Sequence, residues 1–246
     1  MELVMRQGLV VSVGECMVEL SQPQIGGRVW QVHSGGDTYN CAVYLARLGA
    51  RVSYLTALGT DPFSDAMRGE WQREGVSLDL VLGHPERNVG LYAITNDAAG
   101  ERSLTYWRSQ SAARALFECK GIDQALDRAG GAALLYLSGI TLSLFNDDGR
   151  DRLANLAGAV RKRGGVVAFD PNYRAKGWAN APEARKAIEA FAPNVTIALP
   201  TFDDERLLHG DTSPDATIGR WQRAGCSEIA VKLGAEGAVI ADQVTQ

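Results

Sequence analysis

Apolar residues recur along this chain with two alternating periods. Val10-Val11-Ser12-Val13 is a β-branched run closed by Gly14-Glu15, the pattern of a buried strand that delivers residues to a sheet edge. Between Thr38 and Leu48, the positions of Cys41, Tyr44, Leu45 and Leu48 follow i, i+3, i+4, i+7. That spacing predicts an amphipathic helix with Asp37 as its N-cap and Gly49 as its stop. Val52, Tyr54, Thr56 and Leu58 alternate as a strand, and Pro62 opens a second helix with Phe63, Met67 and Trp71 on one face and Gly75 at its end. Strand, helix, strand, helix predicts an α/β fold with a doubly wound, mostly parallel sheet flanked by helices.

The alternation breaks at two strand-like runs, Gly90 to Thr95 and Ser103 to Trp107, joined by Asn96-Asp97-Ala98-Ala99-Gly100. A hairpin inserted in a βαβ series commonly lies off the main sheet. The series resumes with strands at Leu134 to Leu137, Val166 to Phe169 and Val195 to Leu199, separated by helices at Arg150 to Arg163 and Glu183 to Phe191. Helices at Asp203 to Leu208 and Ala216 to Ala224 follow, and then a hairpin-like pair, Ile229 to Lys232 with Ala238 to Ala241.

Composition adds exclusions. A chain of 246 residues, 46% of them hydrophobic, can bury the core of one α/β domain, residues 1–246. A formal net charge of −4 with mixed signs disfavours nucleic acid or an anionic membrane as partner. The longest apolar runs fall short of the ~20 residues that span a bilayer. The start has no signal-peptide pattern, so a cytoplasmic protein is expected. Cys16, Cys41, Cys119 and Cys226 form no metal-ligand spacing and read as structural thiols.

Ligands of parallel sheets bind beyond the carboxyl ends of strands. Gly35-Gly36-Asp37-Thr38-Tyr39-Asn40 offers close backbone approach and, three residues apart at a helix start, a carboxylate and an amide suited to sugar hydroxyls. Asp37 could equally serve as a helix cap alone. Tyr92 and Tyr106 could form an aromatic wall across the hairpin, with Arg108 able to grip a carboxylate; an ordinary amphipathic hairpin would look similar. Asp170-Pro171-Asn172-Tyr173-Arg174 places polar groups directly after a buried strand. Val231-Lys232-Leu233-Gly234-Ala235-Glu236-Gly237 contains a Gly-x-x-Gly turn that any tight hairpin would also use. P-loop and Gly-x-Gly-x-x-Gly strings are absent.

Together, Val13-Gly14-Glu15, Gly35 to Asn40 leading into Ala42-x-x-Leu45-Ala46-Arg47-Leu48-Gly49, Leu58-Gly59-x-Asp61, Asp170-x-Asn172-x-Arg174 and Val231-Lys232-x-Gly234-x-x-Gly237 resemble the ribokinase-type (PfkB) carbohydrate kinases across essentially the whole chain. Gly90-Leu91-Tyr92, Tyr106-Trp107-Arg108, Leu137-Ser138-Gly139-Ile140 and Asp170 to Arg174 are most similar to members acting on 2-keto-3-deoxygluconate. The resemblance implies a ribokinase-like fold with a small β-sheet lid from about residues 16–33 and 88–108, and a homodimer through that lid. It also implies transfer of the ATP γ-phosphoryl group to the sugar acid's 6-hydroxyl, with Mg2+. By the same resemblance, Gly36, Asp37 and Asn40 bind sugar hydroxyls, while Tyr92, Tyr106, Arg108 and Arg174 surround the oxo-acid end. Asn172, Arg174, Thr201, Lys232, Leu233, Gly234, Glu236 and Gly237 serve the nucleotide, with Arg174 assisting catalysis.

The family's Asn-x-x-Glu element falls on Thr201-Phe202-Asp203-Asp204 and departs from the pattern at both ends, leaving Asp204 to hold a hydrated cation. Its Asp-x-x-Gly-Ala-Gly-Asp signature, source of an anion hole and of the catalytic aspartate, does not occur in these residues and is expected beyond Gln246. Two alternatives stay open: the same chemistry on a neutral sugar such as fructose or ribose, and a non-catalytic sugar-acid or nucleotide binding protein.

Overall fold

A computed structural model describes residues 8–23, 27–96 and 102–242. They divide into two compact units, the first formed by Ser12–Ala125 and the second by the residues up to Val11 together with those from Leu126 onward. The β-branched run forms β1 (Leu9–Val13), and the boundary between units falls within it.

In the first unit, β2 (Met17–Ser21) pairs antiparallel with β3 (Gln31–Gly35), after which the chain enters α1 (Asp37–Arg47). The buried face of α1 is Thr38, Tyr39, Ala42 and Val43, whereas Tyr44 and Leu48 are exposed. This corrects the expected face. Small residues let the helix lie close to its neighbours, and Thr38 Oγ1 sits 3.0 Å from the Tyr54 hydroxyl, so a polar position outcompetes two larger apolar ones. Asp37 is likewise not the N-cap. Gly36 takes that place, and Asp37 is the first helical residue, its Oδ1 accepting from the Thr38 N–H at 2.9 Å.

Next come β4 (Arg51–Leu58), α2 (Pro62–Arg73), β5 (Val76–Ser77) and β6 (Val81–Gly83). Both β5 and β6 pair parallel with β4, which is buried at every position from Val52 to Leu58 instead of on alternate ones, because both faces are covered. Asp61 caps α2 through the Ser64 N–H, and Gly75, at φ 80°, lies just beyond its end. Met67 and Trp71 are buried as expected but Phe63 is 45% exposed. Trp71 packs edge-on against Tyr54 with ring centroids 5.3 Å apart.

β7 (Leu91–Asn96) and β8 (Arg102–Trp107) are antiparallel, and β7 runs parallel to β2, giving a separate four-stranded sheet in the order β3-β2-β7-β8. The hairpin connection expected at 96–100 lies, past Asn96, outside the described residues. α3 (Ile122–Ala129) carries the chain across the unit boundary.

The second unit continues with β9 (Leu134–Ser138), α4 (Gly139–Ser143), α5 (Asp147–Lys162), β10 (Val166–Asp170), α6 (Ala181–Phe191), β11 (Ile197–Ala198), α7 (Phe202–His209), α8 (Pro214–Arg223), β12 (Glu228–Lys232) and β13 (Ala238–Asp242). Strands β9 to β12 are parallel in the order β12-β11-β10-β9, and β13 closes the edge antiparallel to β12. Polar side chains start these helices: Ser138 and Thr141 form a capping box at α4, and Asn146, Asn180 and Ser213 cap α5, α6 and α8. Leu135, Leu137, Leu153, Phe169 and Trp221 are fully buried, each removal from water contributing about 1.5–3 kcal/mol. This parallel α/β architecture is the one the alternating pattern predicts, although β11 is shorter than the run Val195 to Leu199.

Candidate functional site

In the first unit, glycines bring backbone and charge together after β1. A Cβ on Gly36 would strike the Glu15 carbonyl oxygen, and one on Gly90 would lie 2.8 Å from Glu15 Oε1 and 3.2 Å from the Arg108 Cβ. Glycine at both positions therefore lets the chain close around Glu15, whose side chain is 1% exposed and forms an ion pair with Arg108 Nη2. Arg114 is part of the same electrostatic cluster, its ionisation lowered by burial and by Arg108. Asp37 and Asn40 share a face at the start of α1, as their spacing requires.

Tyr92 and Tyr106 are paired directly across β7 and β8, and their rings lie with centroids 5.8 Å apart and planes tilted by 31°, so they face the same side as expected. The Tyr92 hydroxyl donates to Glu19 on β2, in register beside it. A Cβ on Gly35 would collide with that hydroxyl. Burial and the Glu19 carboxylate push the Tyr92 pKa upward, so the phenol stays protonated.

In the second unit, polar residues collect at the carboxyl ends of β10, β11 and β12. Asp170 ends β10 and accepts from Lys232 Nζ, at the end of β12, at 2.6 Å. Asp170 Oδ1 also accepts from the Asn172 N–H at 3.1 Å. Asn172 is, among the described residues, the one non-glycine with positive φ, at 35°. Asparagine tolerates this backbone better than most residues, and such strain concentrates where a backbone must be aimed. Thr201 bridges to Lys232, whose N–H donates to the Pro200 carbonyl at 2.8 Å. Arg174 Nη1 lies 3.4 Å from Asp204 Oδ2, and burial raises the Asp204 pKa although Arg174 and Lys232 oppose it. Beyond β12 the chain enters a tight turn: the Leu233 N–H donates to the Gly237 carbonyl at 2.8 Å, and Gly234 and Gly237 adopt φ of 61° and 95°. The turn from Gly234 to Gly237 is exposed.

A family model described as pfkB family carbohydrate kinase matches residues 7–246. The chain belongs to the pfkB family of carbohydrate kinases. Two relatives are named 2-dehydro-3-deoxygluconokinase: one from Dickeya dadantii, 40% identical over 95% of this chain and 76% of its own length, and one from Escherichia coli, 37% identical over 94% and 75%. A crystal structure of a PfkB protein from Polaromonas sp. JS666 superposes with a TM-score of 0.86 at 26% identity, covering 95% of this chain and 79% of that one.

Within this pfkB kinase, Gly36, Asp37, Asn40, Tyr92, Tyr106 and Arg108, all expected to bind sugar, lie in the first unit, whereas Arg174, expected to bind both sugar acid and nucleotide, does not. Asn172, Arg174, Thr201, Asp204, Lys232 and the turn Leu233 to Gly237 lie in the second. Two residues escaped the sequence reading. Glu15 was visible only as the end of Val13-Gly14-Glu15, and its pairing with Arg108 is 93 positions distant in sequence. Glu19 looks like an ordinary polar position on a half-buried strand, and only the β2–β7 register brings it to Tyr92.

Proposed function

We propose that this pfkB kinase transfers the γ-phosphoryl group of ATP to the 6-hydroxyl of 2-keto-3-deoxygluconate, the compound also called 2-dehydro-3-deoxygluconate. The observation that carries this reading is the guanidinium of Arg108, 15% exposed and held by buried Glu15, in the same unit as the paired rings of Tyr92 and Tyr106. A planar guanidinium held in one orientation suits a carboxylate. The names borne by relatives at 37–40% identity support the same substrate.

In this reading Gly36, Asp37 and Asn40 take sugar hydroxyls, and Tyr92, Tyr106, Arg108 and Arg174 take the oxo-acid end. Asn172, Arg174, Lys232, Thr201 and the backbone of Leu233, Gly234, Glu236 and Gly237 serve ATP. Phosphoryl transfer relies on positioning and on stabilising charge spread over phosphate oxygens, the task the cations Arg174 and Lys232 fit. Asp204 suits Mg2+ held through water: no group of three or more His, Cys, Asp or Glu side chains that could hold a metal occurs among the described residues, so the other ligands would be phosphate and water. Bound magnesium supplies charge neutralisation at the phosphates.

The four-stranded sheet would act as a lid on the sugar and, through the exposed Val32, Leu104 and Trp107, join two copies into a cytoplasmic homodimer. No helix among the described residues is long and apolar enough to cross a membrane. The deciding experiment is an ADP-release assay of the full-length protein on 2-keto-3-deoxygluconate, fructose and ribose. Preference for the acid is expected; equal or faster turnover of fructose would move the reading to a neutral sugar, and sugar-acid binding without turnover to a binding protein.

A further inference from the structure

Between α5 and α6 of the second unit lies a cavity of about 360 Å³ lined by Leu142, Asp147, Arg150, Glu183, Lys186 and Phe191. Its polar groups converge on Arg150, whose side chain is 14% exposed. The guanidinium spends its donors on three elements: Nε on the Leu142 carbonyl of α4 at 3.1 Å, Nη1 on Asp147 Oδ1 of α5 at 3.1 Å, and Nη2 on Glu183 Oε1 of α6 at 2.7 Å. Its planar face covers the Trp178 ring, 5.0 Å from the centroid. The second oxygen of Glu183 accepts from the Ala179 N–H at 3.1 Å, which fixes the backbone next to that tryptophan.

Trp178 ends the segment that starts at Asp170 and carries Asn172 and Arg174. The other end is fixed too, since the Pro171 carbonyl packs so closely on Gly139 that a Cβ there would overlap it. Tyr173 and Trp178 are buried, and a 3₁₀ turn, Ala175–Gly177, joins them. Between its anchors the backbone holds Asn172 at a positive φ that is unfavourable for most side chains, so the anchors must over-determine it.

We infer that Arg150 is a positioning residue for nucleotide binding: by clamping Trp178 and Glu183 it holds the segment that aims Asn172 and Arg174. The inference rests on the proposal that these two residues serve the triphosphate. An ordinary stabilising ion pair would not be expected to discriminate between two substrates, whereas loss of aim, even by about 1 Å, costs up to ~100-fold in the step it serves.

The test compares wild type with Arg150→Met, which keeps the bulk of the stem, and Arg150→Lys, which keeps the charge but not the fork. ATP affinity is measured by calorimetry without sugar, and KM for ATP and for 2-keto-3-deoxygluconate by ADP release. Arg150→Met is expected to weaken ATP about tenfold in both measurements, with a smaller rise in the sugar-acid KM, because Arg174 alone of this segment also serves the sugar acid, and with Arg150→Lys recovering part of the loss. If Arg150→Met does not fold, Arg150→Lys alone must show the same split at smaller size. Wild-type ATP affinity in the variants, or equal losses for both substrates, overturns the assignment. A wild type that binds ATP yet phosphorylates no sugar acid overturns the substrate proposal alone, because the calorimetric comparison still decides the anchor; a wild type that binds no ATP overturns both.

Discussion

Arg108 and Glu15 meet in the first unit with side chains 15% and 1% exposed, whereas the Lys232–Asp170 and Arg174–Asp204 pairs of the second unit leave their cations 42% and 59% exposed. Separating the first pair would strand a charge away from water, so it holds one geometry. Separating the others costs less, because water and salt reach their exposed cations. The difference matches what each region is proposed to do. Telling an acid from a neutral sugar needs a cation held in place before the ligand arrives, whereas cations serving a triphosphate must leave their own carboxylates to meet phosphate and return afterwards.

The largest expected effect comes from breaking the buried pair. Arg108→Met should lower unfolding stability by about 3–5 kcal/mol, since buried Glu15 loses its ion-pair partner. Urea denaturation of the single variant and of Arg108→Met combined with Glu15→Gln checks this: the double variant should recover much of the loss, and no recovery would deny that the pair is coupled.

A second burial effect sharpens the comparison, because the second unit also has a closed charged region. Arg220 bridges Glu205 and Asp211 between α7 and α8, and beside it the His209 Nε2 is buried without a hydrogen-bond partner. Burial and the Arg220 charge push the His209 pKa down to about 4. Its folded value lies below the ordinary ~6.5, so its stabilising contribution is complete above that pH and is lost as the pH falls toward 4. Between pH 7 and 4.5 this amounts to about 2 kcal/mol. Melting temperatures across that range should fall more steeply for wild type than for His209→Gln; parallel curves would place the acid sensitivity elsewhere.

The smallest effect on stability should follow from opening an exposed pair. Lys232→Met is expected to change unfolding stability by about 1 kcal/mol or less while raising KM for ATP about tenfold. A large stability loss with unchanged KM would reverse the contrast between the two regions.

Much of this architecture was legible from period alone, because β-branched runs and capped helices obey local rules. The errors have a shared cause in packing. Cys41, Tyr44, Leu45 and Leu48 make the stronger apolar stripe on α1, yet Thr38, Ala42 and Val43 are the side that fits closely against β4. Asp37 has the chemistry of an N-cap, but the approach of Gly36 to the Glu15 backbone starts the helix one residue earlier. The facing of Tyr92 and Tyr106 could be read from a hairpin register, a local quantity. Pairings such as Glu15 with Arg108 or Asp170 with Lys232 join residues from distant strands, and no spacing in the sequence encodes them.

The measurement that bears most directly on the sugar-acid account is the ratio of kcat/KM for 2-keto-3-deoxygluconate to that for fructose, in wild type and in Arg108→Lys. Lysine keeps a partner for Glu15, so the fold is spared, but it lacks the planar fork that grips a carboxylate in two places. Losing a charge-assisted contact of this kind costs about 1.5–3 kcal/mol, so turnover of the acid should fall about 10- to 100-fold while fructose changes by less than about twofold. Equal losses on the two sugars would contradict the account and leave Arg108 as a structural partner of Glu15.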